Sequence, residues 1–299
     1  MKPLPVIVNP IARGGRAPLP KDGLEGVARR HGLALEWHPT QAPGHATELA
    51  RRAVRDGCPI VAVWGGDGTY NEVARALLGS DTSLLILPGG TTSVLAFELG
   101  IPRRPVAALE AQLAGVRRAM SVGLTDRGQS FLLMLSVGPD SLILANLPTL
   151  LKVRAGKVGI AIQAFVECAR ARLPRFQVES EPLTAQASWC IVGNGRCYGG
   201  PYHATPGADP FAPGFELVVL ERAGRRAVIP FFFAIPSGRH LHLRGVRRAS
   251  AQEVRLLGEN GIPYQLDGDP AGTLPVAVRT APERLWVMVP AGRPASPSA

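Results

Sequence analysis

Apolar and polar positions in the first 120 or so residues alternate between two rhythms. Continuous apolar runs, PVIV near the start, PIVAVW at 59–64 and SLLILP at 83–88, read as strands buried on both faces. LALEWH, where Leu33, Leu35 and Trp37 alternate with smaller or polar residues, reads as another strand. Helical patterns separate them: around 24–30, HATELARRAVRDG closed by Gly57, and a stretch in which Val73, Ala74, Leu77 and Leu78 share one face. TTSVLAFELG and PVAALEAQLAGVRRA follow as two more helices. Repeated β-α units predict a doubly wound, mostly parallel, Rossmann-like sheet, whose ligands sit beyond the carboxyl ends of the strands.

From about Met120 the rhythm changes. MSVGLTD, QSFLLMLSVG, ASWCIVGNG, FELVVLE, RHLHLRG, QEVRLLG, IPYQLDGD and ERLWVMVP are short strand patterns punctuated by turn residues, the mark of an antiparallel β-sandwich. A helix over 156–172 interrupts them. The run VIPFFFAIP at 228–236 reads as core, or as an acyl-chain or membrane contact if exposed. The expected domains are 1–120 and 121–291, the last strand or segment being free to pack back on the first domain, with a disordered tail at 292–299.

With 299 residues and 46% hydrophobic content the chain can build two cores. Its net charge of +10, mostly Arg in scattered doublets, predicts attraction to polyanions, although a GC-rich genome accounts equally for the arginines. The doublets form no single stripe and no nucleic-acid motif is present, so no nucleic-acid partner is expected. Four cysteines without CxxC spacing point to a reducing compartment. No stretch reaches the roughly 18 apolar residues of a membrane-spanning helix, so a cytoplasmic protein that touches membranes from outside is expected. His240 and His242 share a face but have no further ligands nearby to make a metal site.

The chemistry concentrates in WGGDGTYNEV at 64–73. Gly65, Gly66 and Gly68 let the backbone approach a ligand and expose N–H groups at a helix N-terminus, where phosphate binds well, and Thr69 adds a hydroxyl. Asp67 would repel phosphate unless a divalent metal or a hydroxyl proton lay between them. Such a loop suits Mg-nucleotide phosphoryl transfer; the plain alternative is a strand-to-helix turn. Asp267 and Asp269 flank a glycine, where one could take an acceptor proton and one help hold Mg²⁺, or where the pair is an ordinary acidic turn.

These residues resemble the diacylglycerol kinase/sphingosine kinase superfamily. GGDGTYNEV is similar to its nucleotide-binding signature, VNP (Val8, Asn9, Pro10) to its first phosphate-proximal loop, and LPGGTTSVLA at 87–96 to its PxGTxNxxA loop. VGNGRCYGGPYHATPGADPFAPGFELVVL at 192–220 follows another family pattern, and QLDGDP at 265–270 looks like the family's DGE element. The resemblance covers nearly the whole chain in order. It implies an ATP- and Mg²⁺-dependent lipid kinase with its active site in a cleft between an α/β domain and a β-sandwich lipid domain. By that resemblance Asn9, Pro10, Thr40, Gly65, Gly66, Asp67, Gly68, Thr69, Tyr70, Asn71, Gly90 and Thr91 bind ATP. Asp67, Asp267 and Asp269 serve catalysis and the catalytic Mg²⁺, with Asp269 placed first as proton acceptor and Asp267 next. Asp140, in the place of the family's GxDA aspartate, and Ser93 meet the lipid substrate; a turn-capping role for Asp140 stands beside that.

Four residues depart from the pattern. Ser93-Val94 stands where the family has Asn-Asp, Asp269 where it has Glu, and Pro213 where some bacterial members have a structural-metal aspartate. The implied acceptor is diacylglycerol or a related lipid, with a sphingoid base or ceramide behind it. The implied partners are that lipid and an anionic membrane surface, held peripherally, and a homodimer is compatible with both. The rival readings are a NAD kinase-like phosphotransferase and a catalytically weak lipid- or nucleotide-binding protein.

Overall fold

The computed structural model describes residues 3–12, 19–146 and 174–292. The expected helix over 156–172 lies outside the described residues, as do most of the tail and most of the first glycine-rich turn. The chain divides into two units, one built from residues up to Ser121 and from Pro282 onward, the other from Val122–Ala281.

The first unit is an α/β sheet. Its strands are β1 (Leu4–Val8), β2 (Leu35–Pro39), β3 (Ile60–Gly65), β4 (Ser83–Pro88), β5 (Val116–Met120) and the late strand β20 (Leu285–Val289), in the order β2-β1-β3-β4-β20-β5. All pairs are parallel except β20 with β5. The central strands β3 and β4 are buried almost throughout, which explains their unbroken apolar runs, while the edge strand β2 is half-covered. Helices α1 (Lys21–Arg30) and α5 (Pro105–Leu113) pack together, as do α2 (His45–Arg55) and α3 (Asp67–Leu77); α4 (Val94–Glu98) is a short helix after β4. Past Leu84 no β20 residue pairs with β4, and the buried Gln112 amide takes up both the N–H and the carbonyl of Ile86 at 2.9 and 2.7 Å.

One helix is shorter than its pattern predicts. α5 stops at Leu113, and VRRAM forms the edge strand β5, paired residue by residue with β20. Its partner comes from more than 160 residues later, so no local pattern reveals it. Arg117 then lies over the Trp286 ring at 3.9 Å.

The second unit is a sandwich of two antiparallel sheets. One contains β6 (Gly123–Thr125), β7 (Ser130–Phe131), β9 (Phe176–Glu179), β10 (Thr184–Ala187), β16 (Glu253–Leu257) and β19 (Val276–Thr280). The other contains β8 (Met134–Val137), β11 (Trp189–Gly193), β14 (Phe215–Leu220), β15 (Val246–Ala251), β17 (Pro263–Leu266) and β18 (Asp269–Thr273). A small hairpin joins β12 (Cys197–Tyr198) to β13 (Tyr202–His203).

In β11 and β14 the side chains alternate between two cores. Cys190, Val192, Phe215, Leu217 and Val219 join the core between the sheets. Trp189, Ile191, Val218 and Leu220 join a second cluster with Phe231 and Ile235. That second cluster is capped by α7 (Arg225–Ala234), and α6 (Pro139–Asn146) follows β8. VIPFFFAIP is therefore largely helix, with Val228 and Phe231 buried. RHLHLRG is not a strand but a 3-10 turn over Arg239–His242, because buried His240 donates from Nε2 to the Ala204 carbonyl at 2.9 Å and meets Phe231 edge-on. Burial pushes the His240 pKa down, so the ring is a neutral part of the core.

Candidate active site

In the first unit the residues singled out for nucleotide binding gather at the carboxyl ends of the neighbouring strands β2, β1, β3 and β4. Asn9 follows β1, Thr40 follows β2, Gly65–Thr69 lie at the β3–α3 junction, and Gly90, Thr91 and Ser93 follow β4. Ligands of doubly wound sheets bind at this edge. Hydrogen bonds join the loops: Asn9 Nδ2 donates to Thr69 Oγ1 at 3.0 Å, Asn9 N to the Trp64 carbonyl at 2.9 Å, and Gly89 N to the Gly65 carbonyl at 2.8 Å. Gly66 and Gly90 bring two backbones together, since a Cβ on Gly90 would lie 2.7 Å from Gly66 Cα. Gly68 and Thr91 are exposed there, as is Pro10. Tyr70 is buried, its hydroxyl donating to the Gly65 carbonyl at 2.7 Å, so it shapes the loop from behind; Asn71 is half-buried one residue further along α3.

The geometry gives Asp67 a definite occupation. Its Oδ2 accepts from Val94 N at 2.9 Å and its Oδ1 from Leu95 N at 3.0 Å. The carboxylate thus serves as the N-terminal cap of α4, whose own flanking residue, Ser93, is left-handed (φ 51°) and caps nothing. Buried Ser93 Oγ has no hydrogen-bond partner. A carboxylate held this way fixes the relative position of the loops that follow β3 and β4. Asp67→Asn turns an amide N–H toward a backbone N–H, so it should loosen the loop after β4, cost about 1–2 kcal/mol of stability and weaken nucleotide affinity. Thermal unfolding beside ATP titration checks this; unchanged values in both would remove the capping role.

In the second unit Asp267 and Gly268, both at positive φ (50° and 92°), form a two-residue hairpin turn between β17 and β18. The Asp267 carboxylate accepts from three backbone N–H groups, Leu132 at 2.6 Å and Leu133 and Met134 at 2.8 Å. Asp269, the first residue of β18, is exposed. The two carboxylates that the sequence alone leaves interchangeable are thus unlike: one is bound into the backbone and the other faces solvent.

Asp140, at the start of α6, is buried. Its Oδ2 accepts from Tyr198 Oη at 3.0 Å and from Gln265 Nε2 at 3.3 Å, while Oδ1 has no hydrogen-bond partner. Gln265 Oε1 in turn accepts from Gly268 N at 2.6 Å, linking Asp140 to the DGD turn. Burial raises the Asp140 pKa, against the hydrogen bonds that favour its anion. A raised native pKa means that stability is lost as pH climbs from the ordinary carboxyl range through the shifted value. Asp140→Asn keeps an oxygen for the two donors and carries no charge, so it should melt higher than the parent at pH 8, by a margin that shrinks toward pH 4. Melting curves across that range check it, and a margin independent of pH would refute it.

Pro213 lies on the rim of a cavity of about 850 Å³ in the sandwich unit, together with Glu179, Asp209 and Glu216. Glu216 is committed to Arg248 and to Gly207 N. Among the described residues no group of three or more His, Cys, Asp or Glu side chains is arranged to hold a metal ion.

A family model of the diacylglycerol kinase catalytic domain matches residues 3–125, and one of the YegS C-terminal NAD kinase beta sandwich-like domain matches residues 137–289. The chain belongs to the diacylglycerol kinase superfamily. It is 27% identical over 292 residues to a diacylglycerol kinase of Mycobacterium tuberculosis, covering 95% of this chain and 94% of that one. It is 30% identical over 188 residues to the lipid kinase YegS of Escherichia coli K12, covering 61% and 63%. Two crystal structures from Bacillus anthracis str. Sterne share the fold at TM-scores of 0.80 and 0.72, with 20% and 18% identity. The second is of a diacylglycerol kinase, and the alignment covers 96% of each chain. Membership in this superfamily makes the protein a lipid kinase, a phosphotransferase with an alcohol acceptor. No helix among the described residues is long and apolar enough to cross a membrane.

Within the superfamily pattern, Gln265 is the site-connecting residue that sequence reading overlooks. It sits inside QLDGDP, and its signal in the sequence is a polar residue between Tyr264 and Leu266, two places before a DG turn.

Proposed function

We propose that the protein transfers the γ-phosphoryl group of ATP, as its Mg²⁺ complex, to a hydroxyl of diacylglycerol or a related lipid, with a sphingoid base or ceramide as the second candidate. The observation that carries the reading is the Gly66–Gly90 backbone approach at the carboxyl ends of β3 and β4, with exposed Gly68 and Thr91 beside it. Such an arrangement offers N–H donors to phosphates without side-chain obstruction. Asn9 and Thr69 steady it. A bound divalent ion would neutralise charge on the transferred phosphoryl group, with phosphates and water as most of its ligands. Asp269 is exposed at the first position of β18, where an acceptor hydroxyl can reach it.

On this reading Asp269 accepts the proton of the lipid hydroxyl as its oxygen bonds to the γ-phosphorus. The bond from that phosphorus to the bridging oxygen breaks, and ADP leaves. Asp267 holds the turn in place, and Asp140, tied to that turn through Gln265, steadies it beside the acceptor head group.

Radiolabelled ATP with mixed micelles of dioleoylglycerol, sphingosine or ceramide, and with NAD in a separate arm, tests the assignment. A labelled lipid is expected. Label in NAD alone would overturn the reading, and slow hydrolysis without any labelled acceptor would return the protein to a binder.

A further inference from the structure

The sandwich unit carries an unusual run. Between residues 222 and 252 the sequence has seven arginines and no Asp or Glu. Arg247 pairs with Glu221 and Arg248 with Glu216, while Arg222, Arg225, Arg226, Arg239 and Arg244 are exposed and make no ion pair among the described residues. The chain gathers several of them. Arg222 follows β14, its side chain lies against Gly245, and Glu221 N bonds to the Gly245 carbonyl at 2.8 Å, so Arg222 and Arg244 flank one corner. α7 starts at the same corner with Arg225 and Arg226. Two cations in the first turn of a helix, with no acid to offset them, work against the helix dipole, so helix stability does not explain them.

The outward face of α7 is equally unexplained by the fold. Val228, Phe231 and Ile235 face the core, with Phe231 against Trp189. On the other side Arg226, Pro230 and Phe233, at i, i+4 and i+7, are all exposed, Phe233 by 62%. The turn that follows packs beside β13, whose Tyr202 is 44% exposed. Cations at one end of a short helix and aromatic rings at the other are the makeup of a segment lying in a bilayer interface.

We infer that this corner of the sandwich unit, from Arg222 through α7, is the surface that docks on an anionic bilayer. The arginines meet lipid phosphates and Phe233 enters the boundary between head groups and acyl chains. The inference rests on the lipid-kinase reading for its choice of a bilayer over another polyanion. It gives the scattered positive charge a particular place of action.

Sedimentation with vesicles of equimolar phosphatidylglycerol and phosphatidylcholine tests it. The parent protein should bind these vesicles and lose them in high salt, where screening shortens the reach of the arginines. Replacing both Arg225 and Arg226 by Ser should lower association about tenfold or more, and replacing both by Lys should preserve it. Phe233→Ser, at an exposed position, should lower it about tenfold with the melting temperature unchanged. Each variant should still phosphorylate a short-chain diacylglycerol dissolved as monomers as well as the parent does. Failure of the parent to bind the vesicles would overturn the inference. So would undiminished binding by the arginine variant, or loss with the arginine variant while Phe233→Ser binds normally, which is the behaviour of a general polyanion site such as one for RNA. If no form phosphorylates the soluble substrate, the kinase reading fails, and the vesicle arm still decides the docking face.

Discussion

Asp269→Asn should fold normally, bind ATP as well as the parent, and lose at least about 10²-fold in turnover. The residue is exposed at the first position of β18, opposite Leu266, so an amide there opens no cavity. What it removes is the ability to receive a proton. Asp269→Glu, which restores the superfamily's usual residue and lengthens the reach by one methylene, should stay within a few-fold of the parent. Turnover measured beside an ATP binding isotherm separates the outcomes. Near-normal turnover for the asparagine variant would assign acceptor deprotonation elsewhere.

The second large effect falls two residues away and is of another kind. Asp267→Ala strips the partner from three backbone N–H groups at once, those of Leu132, Leu133 and Met134. Charge-assisted bonds of this sort suggest a loss of about 3–5 kcal/mol. Alanine also tolerates the left-handed backbone poorly, at a cost of about 1 kcal/mol. Asp267→Gly should recover that last part and no more. Denaturant midpoints for the two variants check both amounts. An alanine variant as stable as the parent would mean that the turn holds itself without the carboxylate.

That contrast shows what a sequence exposes and what it hides. The apolar runs of β3 and β4 announce themselves, because strands buried on both faces need no partner pattern to be seen. Asp267-Gly268 is a hairpin signal by chemistry alone, since both positions require positive φ. The roles of the aspartates were not legible in the same way. Asp67 finds its N–H partners 27 and 28 residues on, and Asp267 finds its own more than 130 residues back, at separations that no motif encodes. β5 was hidden for the same reason, its helical composition being overridden by a distant strand. α7 was hidden by Pro230, a residue that argues against a helix interior. His240 and the leucines around it imitate strand alternation while packing against α7.

The place of β20 also bears on how the protein is made. The strand between β4 and β5 is supplied by residues 285–289, after the whole sandwich has been synthesised. Until then the growing chain carries β4 with one open edge, apolar from Leu84 to Pro88, and β5 without its sheet partner among the described residues. The nascent first unit therefore stays incomplete until β20 is made, and a fragment ending at Ser121 would present that edge to other chains, a template for aggregation. Closure comes when the chain returns beside its own exit, where Ala281 N bonds to the Val122 carbonyl at 2.8 Å and Leu285 falls opposite Met120. Emergence of β20, rather than completion of the first 121 residues, thus sets the moment at which the sheet of the first unit can become stable.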